Sequence, residues 1–585
     1  MPPYVYLILA GGGFILLLAA AQWINNRTNL NNIKSRTVGD GQHGTARFAT
    51  EQEIKQTYRM IPFEPELWRK GENLPDCQGI IVGQRTRFKK TTAIVDEGDV
   101  HALMVGAAGC GKTAYFLLPN IELALAAGMS FMVSDTKGDL ARWYGKIAHT
   151  CYGYRVAVLD LRRPMCSDAF NMLHLVNKYI DGWKRCPEDV TAKAKAEKYA
   201  KLIGDTIIGD TSNMGQNRFF YDAAKGLLAS AVLMIAEFCE PEERHIISVF
   251  KLTQDLLAPS PVKGKSCFQL LMDRLPKTHR AAMHSGAALR ASQEGMASVL
   301  STVLSRLDAF LDSELEQLLC FDTAVDAERF CAEKTALFVT LPEEDPTKYF
   351  LVSLIIQELY GELLSIANDK GGKLDKRVMF YLDEFGTIPT IQNADKMFSA
   401  ARSRRISIAA VIQSYQQLEK SYEQTGAAVI CDNTQLTIAG GFAPGSESAE
   451  RISKSMGSRT VMSGSVSKGK ENASQSLQMM ERPLMSADEL KSMRKGNFVV
   501  LKTGVRPFVS RLKLFFKWGI QFDETDPYVI GSHAAREVKY ADKEKIEAAI
   551  IEKYPGIAEP EPEPEPRPAP QAAPARRPPP RGVKV

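Results

Sequence analysis

At 585 residues, with 45% hydrophobic and 24% charged side chains, the chain is longer than one ordinary core can use and too apolar to be disordered. A formal net charge of +5 permits contact with nucleic acid or anionic lipid but demands neither. Ten cysteines, with no Cys-x-x-Cys pair and no partnered histidines, argue against a zinc site and a disulfide framework and for reduced thiols in a cytosolic body.

The first element is apolar. Tyr4 to Ile24 (YVYLILAGGGFILLLAAAQWI) carries no charge and is long enough to span a hydrocarbon core as a helix. No basic segment precedes it, which distinguishes it from a signal peptide. Gly11, Gly12 and Gly13 weaken helix propensity but are tolerated in membrane helices. Arg27, Lys34 and Arg36 follow, so the positive-inside rule leaves the C-terminal body in the cytoplasm. Residues 1–27 are read as a single-pass membrane anchor.

After HGTARFA (43–49) and GIIVGQR (79–85), three apolar runs alternate with helical patterns: HALMVG (101–106), SFMVSD (130–135) and YRVAVLDL (154–161). Strands separated by helices predict βαβ units and a parallel sheet, begun in residues 28–171. Residues 172–330 switch to helical periodicity, as in FFYDAAKGLLASAVLMIAEF (219–238), and are read as an inserted all-α domain. Strands resume over 331–530 at TALFVTL (335–341), RVMFYLDE (377–384), SIAAVIQS (407–414) and QLTIAGG (435–441). The Ser-rich segment 462–480 is expected to be a polar loop. Residues 531–585 read as a helix and a proline-rich tail from Gly556, whose composition favours extended chain over a packed core.

Residues 106–113, GAAGCGKT, fit the G-x-x-x-x-G-K-[ST] pattern, following the strand HALMV and preceding a helical run. The segment comprises Gly106, Ala107, Ala108, Gly109, Cys110, Gly111, Lys112 and Thr113. Its glycines allow backbone conformations that turn successive N–H groups onto phosphate oxygens, and the helix N-terminus adds its dipole. Lys112 would contact the β- and γ-phosphates of ATP, and Thr113 would offer its hydroxyl to Mg²⁺.

YLDEFGTIP (381–389) ends a buried strand in two adjacent carboxylates, costly to bury without a cation or hydrogen bonds. Next to a phosphate cradle the pair has distinct jobs. Asp383 would hold the Mg²⁺ shell through water, and Glu384 would take the proton of the attacking water. Gln413, ending the strand SIAAVIQ, either senses the nucleotide and orients water or is an ordinary hydrogen-bonded loop glutamine. Arg402, Arg404 and Arg405 precede that strand. One of them acts as a finger in a neighbouring subunit, or they contact nucleic-acid phosphates, or they form a solvated basic turn.

These pieces together resemble the coupling-protein ATPases of conjugation and type IV secretion, the TraG/VirD group. The resemblance runs from HGTARFA to about residue 520 and includes GAAGCGKT, SDTKGDL (134–140), FNML (170–173), YLDEFG (381–386), IQSYQQL (412–418), CDNTQL (431–436) and ERPLMSADEL (481–490). It implies an α/β, RecA-like P-loop domain with a mainly parallel sheet, an inserted all-α domain and a membrane helix, assembled as a homo-hexamer. The implied protein sits at the inner membrane, binds a relaxase with its attached, single-stranded DNA, meets the channel proteins of a secretion system, and drives DNA transfer by ATP hydrolysis with Mg²⁺. By resemblance Lys112, Thr113, Asp383, Glu384 and Gln413 lie on family motifs, and Arg402 falls at the arginine-finger position. The sequence departs in carrying one membrane span where many members have two.

Two rival readings are a DNA translocase of the FtsK-like kind and a docking platform that holds nucleotide without turnover. The first would bring a C-terminal winged helix, for which residues 520–555 are short. The second leaves Lys112, Asp383 and Glu384 together unexplained. No aromatic-basic stacking platform stands out, so DNA contacts are expected mainly at phosphates and to weaken steeply with salt.

Overall fold

The seven apolar runs become the parallel part of one sheet. The computed structural model describes residues 12, 13, 15–22 and 41–557, except 89, 210, 212, 213, 261, 263, 264, 343–347, 389, 390, 392 and 469–472. In chain order the strands are β1 (Arg59–Pro62), β2 (Ile80–Arg87), β3 (Lys90–Asp96), β4 (Ala102–Val105), β5 (Ser130–Asp135), β6 (Arg155–Asp160) and β7 (Thr335–Thr340). They continue as β8 (Val378–Leu382), β9 (Ile406–Ile412), β10 (Leu436–Ala439), β11 (Ser458–Lys468), β12 (Ala473–Pro483), β13 (Asn497–Lys502) and β14 (Val505–Arg511).

The main sheet runs β14-β13-β10-β4-β9-β8-β5-β7-β6. It is parallel from β10 to β6 and becomes antiparallel at β13 and β14. β4, β8 and β9 are buried at every residue, as parallel strands covered on both faces must be. β1, β3 and β2 form a small antiparallel sheet.

The chain divides into two compact units, one of residues 1–168 and 324–532, the other of 169–323 and 533–585. The first holds all fourteen strands found among the described residues. In it, the helix Leu118–Ala126 after β4 is buried along its whole length, including Asn120 and Glu122. Asn120 accepts from the Ile81 backbone N–H at 2.8 Å. The Glu122 carboxylate accepts from Arg69 at 2.6 and 3.0 Å and from the Tyr152 hydroxyl at 2.7 Å. A buried carboxylate is tolerable only with such partners, and removing Arg69 would cost about 3–5 kcal/mol. These bonds fix the helix that begins at the phosphate-cradle motif.

The second unit is helical, with no strand among its described residues. Its central helix, Arg218–Phe238, is apolar because other helices surround it. The helix Lys543–Lys553 belongs to this unit, tied to it upstream by Ala541 N–H donating to Ser248 Oγ at 3.0 Å.

The segment 462–480, expected to be a loop, is instead most of a two-stranded antiparallel ribbon, β11 pairing with β12 from Ser458↔Pro483 to Lys468↔Ala473. A free-standing ribbon has no core face, so its serines conceal the period-2 pattern that betrays a half-buried strand. Of the expected membrane span Tyr4–Ile24, only 12, 13 and 15–22 are described. They are helical, with Ile15, Leu16, Leu17 and Leu18 exposed, and the remainder lies outside the described residues, as does the tail from 558. Among the described residues, Arg218–Phe238 and Tyr349–Asp369 are long and apolar enough to cross a membrane. Both are mostly buried, the position of core helices.

Candidate active site

β4 ends at Val105 and the chain wraps through Gly106–Lys112 into a π-helical turn, Thr113–Leu117. Pro119 lacks an N–H, so the usual i→i−4 bond to Tyr115 cannot form and the turn widens. Gly109 and Gly111 have φ of +73° and +90°, conformations open to glycine. Crowding fixes the loop from behind: a Cβ on Gly441, at φ +68°, would lie 2.4 Å from Cys110 Cβ. Lys112 is buried, and its ammonium donates to the carbonyls of Gly106 at 2.8 Å and Ala107 at 3.4 Å.

β8 does not lie next to β4; β9 separates them. The register Val105↔Ile412 and Leu382↔Ala410 nevertheless brings the C-terminal ends of all three strands together. Thr113 Oγ1 donates to Asp383 Oδ2 at 3.3 Å. Glu384 adopts φ +51°, which costs a non-glycine residue roughly 1 kcal/mol. Three bonds hold it there: its N–H donates to Asp383 Oδ1 at 3.1 Å, and its carbonyl accepts from Thr387 N–H at 2.8 Å and Thr387 Oγ1 at 2.7 Å. Gln413, just past β9, donates from Nε2 to Glu384 Oε2 at 3.0 Å.

Burial pushes the Asp383 carboxyl up to about 6, with Glu384 and Asp135 adding repulsion and Lys112 opposing it. Burial also raises Asp135, against the pull of the loop N–H groups of Leu140, Lys137 and Gly138. Carboxyls this close and this buried form a site that a cation would relieve.

One cavity of about 560 Å³ is lined by Lys112, Thr113, Asp383, Glu384 and Gln413. Of the cradle residues, Ala108, Gly109 and Gly111 also line it, while Gly106, Ala107 and Cys110 sit behind. Arg402 is not there. It is exposed, on the turn before β9, at the opposite end of the strand from Gln413. A seven-residue strand puts roughly 20 Å between them, so Arg402 cannot serve its own chain's cavity. Arg404 and Arg405 are held on the carbonyls of Gly372 and Asp375.

The cavity also contains residues that the reading of the sequence did not single out: Asp135 and Lys137 from SDTKGDL, and Trp143, Tyr349 and Phe515. Trp143 stacks on Phe522 at 5.2 Å and lies 6.4 Å from Phe515, giving one wall a flat aromatic surface. Asp135 and Lys137 carried a signal, being charged at the tip of a buried strand. The aromatic wall carried none, since residue 143 and residue 515 meet only in the fold. A hydroxyl, carboxylates and an ammonium over a cradle of N–H groups form a donor set that fits a polyphosphate with a divalent metal ion.

The comparisons with known proteins agree with this chemistry. The model of the family described as type IV secretory system conjugative DNA transfer matches residues 66–545. The probable conjugal transfer protein TraG of Sinorhizobium fredii is 21% identical over 475 residues, 76% of this chain and 70% of that protein. Among solved structures, the unbound bacterial conjugative coupling protein TrwB matches with a TM-score of 0.55 at 15% identity, covering 85% of this chain and 100% of that one. TrwB in complex with ADP and Mg²⁺ matches with a TM-score of 0.53 at 14% identity, over 85% and 100%. At these identities the structural likeness shows a shared fold.

Proposed function

The chain belongs to the type IV secretory system conjugative DNA transfer family, and from that premise we propose that it is a coupling ATPase that drives DNA into a conjugation channel. The observation that carries this reading is the contact of Thr113 with Asp383 beside the Glu384–Gln413 pair, in one cavity with Lys112. The binding of ADP with Mg²⁺ by the similar TrwB supports ATP and Mg²⁺ as the ligands.

Thr113 and Asp383 would hold Mg²⁺, and the charge neutralisation it would supply favours phosphoryl transfer. The chain's own groups do the rest. Lys112 exchanges the Gly106 and Ala107 carbonyls for phosphate oxygens, and the cradle N–H groups bind the remaining charge. Glu384 accepts the proton of the attacking water, and Gln413 holds the Glu384 carboxylate at the correct angle. Arg402 of one subunit reaches the cavity of the next in a homo-hexamer.

We assign the apolar N-terminal stretch as a single inner-membrane anchor with the catalytic unit in the cytoplasm. The cargo is a relaxase with attached single-stranded DNA, and the second unit is the surface that meets it. The test is ATP turnover by the full chain with and without DNA. Stimulation by DNA is expected. Turnover indifferent to DNA in a confirmed oligomer would favour a protein-handling ATPase, and no turnover would favour a docking platform.

A further inference from the structure

Among the described residues that line the cavity, Lys112 and Lys137 are the cations. The loop that carries Lys137 is locked, whereas its side chain is not. Asp135, the last residue of β5, takes the loop's N–H groups: Lys137 N–H donates to Oδ1 at 2.9 Å and Leu140 N–H to Oδ2 at 2.8 Å. The Lys137 carbonyl accepts from Arg162 Nη1 at 2.7 Å. Gly138 follows at φ +74°, where a Cβ would overlap the Arg162 guanidinium. Lys137 itself is exposed, and among the described residues its ammonium makes no hydrogen bond or ion pair.

The carboxylates of the same cavity are already engaged. Asp135 holds its own loop, Asp383 accepts from Thr113, and Glu384 accepts from Gln413. Asp139 stands in the first turn of the helix Asp139–Tyr152, where the helix dipole favours a negative charge. The position of Lys137 follows from the sheet. β5 pairs with β8 on the side away from β9, in the register Ser134↔Leu382, and Ser134 Oγ donates to Asp383 O at 3.0 Å. Lys112 and Lys137 therefore follow strands on opposite sides of the acid strand, β4 and β5.

We propose that Lys137 is a further catalytic residue, which binds the terminal phosphate of the nucleotide from the side of Glu384. This rests on the ATPase reading above. Phosphates seated on the cradle present their terminal group toward the acid that takes the proton of water, and an ammonium beyond that acid meets the terminal phosphate first. A compact charge on a flexible stem swings in from a fixed loop and offsets the charge of the group being transferred. ADP lacks this contact, so Lys137 also lets the site tell ATP from ADP.

The test is titration calorimetry of the full chain, native and Lys137→Met, with Mg²⁺ and either ADP or the non-hydrolysable β,γ-imido analogue of ATP. Lys137→Met is expected to bind the analogue about ten-fold more weakly and ADP within about two-fold of native, with kcat at least about ten-fold lower. Equal weakening for both ligands, or none for either, overturns the proposal and leaves the ATPase reading intact. A native chain that binds neither nucleotide overturns that reading, and the Lys137 proposal with it.

Discussion

Gln413 donates to Glu384 at 3.0 Å across the gap between the tips of β9 and β8. The bond crosses the boundary between β9 and the acidic strand β8, so the side chain that meets the acid comes from the strand that lies between β8 and the cradle strand β4. Removing it should affect chemistry more than binding. Gln413→Ala is expected to lower kcat about 10- to 100-fold while nucleotide affinity changes less than about three-fold, measured by steady-state turnover and titration calorimetry.

The raised Asp383 carboxyl sets a pH dependence. The folded chain holds this proton to about pH 6, whereas an unfolded chain releases it near pH 4. Its contribution to apo stability is therefore fully present below about pH 4 and is lost as pH rises through about 6. Asp383→Asn is expected to stabilise the apo protein by about 2–3 kcal/mol at pH 7.5 and by little at pH 4, in denaturant melts. Mg²⁺ needs the carboxylate, so Mg²⁺-dependent nucleotide affinity of the native chain should fall about ten-fold per pH unit below 6.

Gly441 supports the cradle from the neighbouring strand end. Gly441→Ala adds a Cβ 2.4 Å from Cys110 Cβ at φ +68°, so the loop must move. Nucleotide affinity is expected to drop at least about ten-fold, with stability lower by about 1–3 kcal/mol, measured by binding and thermal melts.

Arg402 lies at the far end of β9 from Gln413 and should act only between subunits. Arg402→Ala is expected to abolish turnover without weakening nucleotide binding. Mixed equally with Glu384→Gln subunits, it should regain part of the activity, because about one interface in four then pairs an intact Glu384 with an intact Arg402. A mixture as inactive as its parents would remove Arg402 from the site.

The parallel strands were legible because each is a short apolar run buried on both faces, and the polar residues ending HALMV, RVMFYL and SIAAVI stand at strand tips, where such sheets place their chemistry. β13 and β14 went unread: they add the antiparallel edge, and β14 alternates buried and exposed residues around Arg506 and Pro507. The aromatic wall was illegible for a different reason. Trp143 and Phe515 look like ordinary core residues until the fold stacks them beside Asp135 and Lys137. The ribbon was hidden by its serines.

The central claim is that Glu384 acts on water while the cradle holds the nucleotide. The direct measurement compares ATP affinity and single-turnover hydrolysis in the native chain and Glu384→Gln. Affinity within about three-fold of native, with hydrolysis at least about 100-fold slower, is the predicted result. Hydrolysis at the native rate in Glu384→Gln would contradict the account.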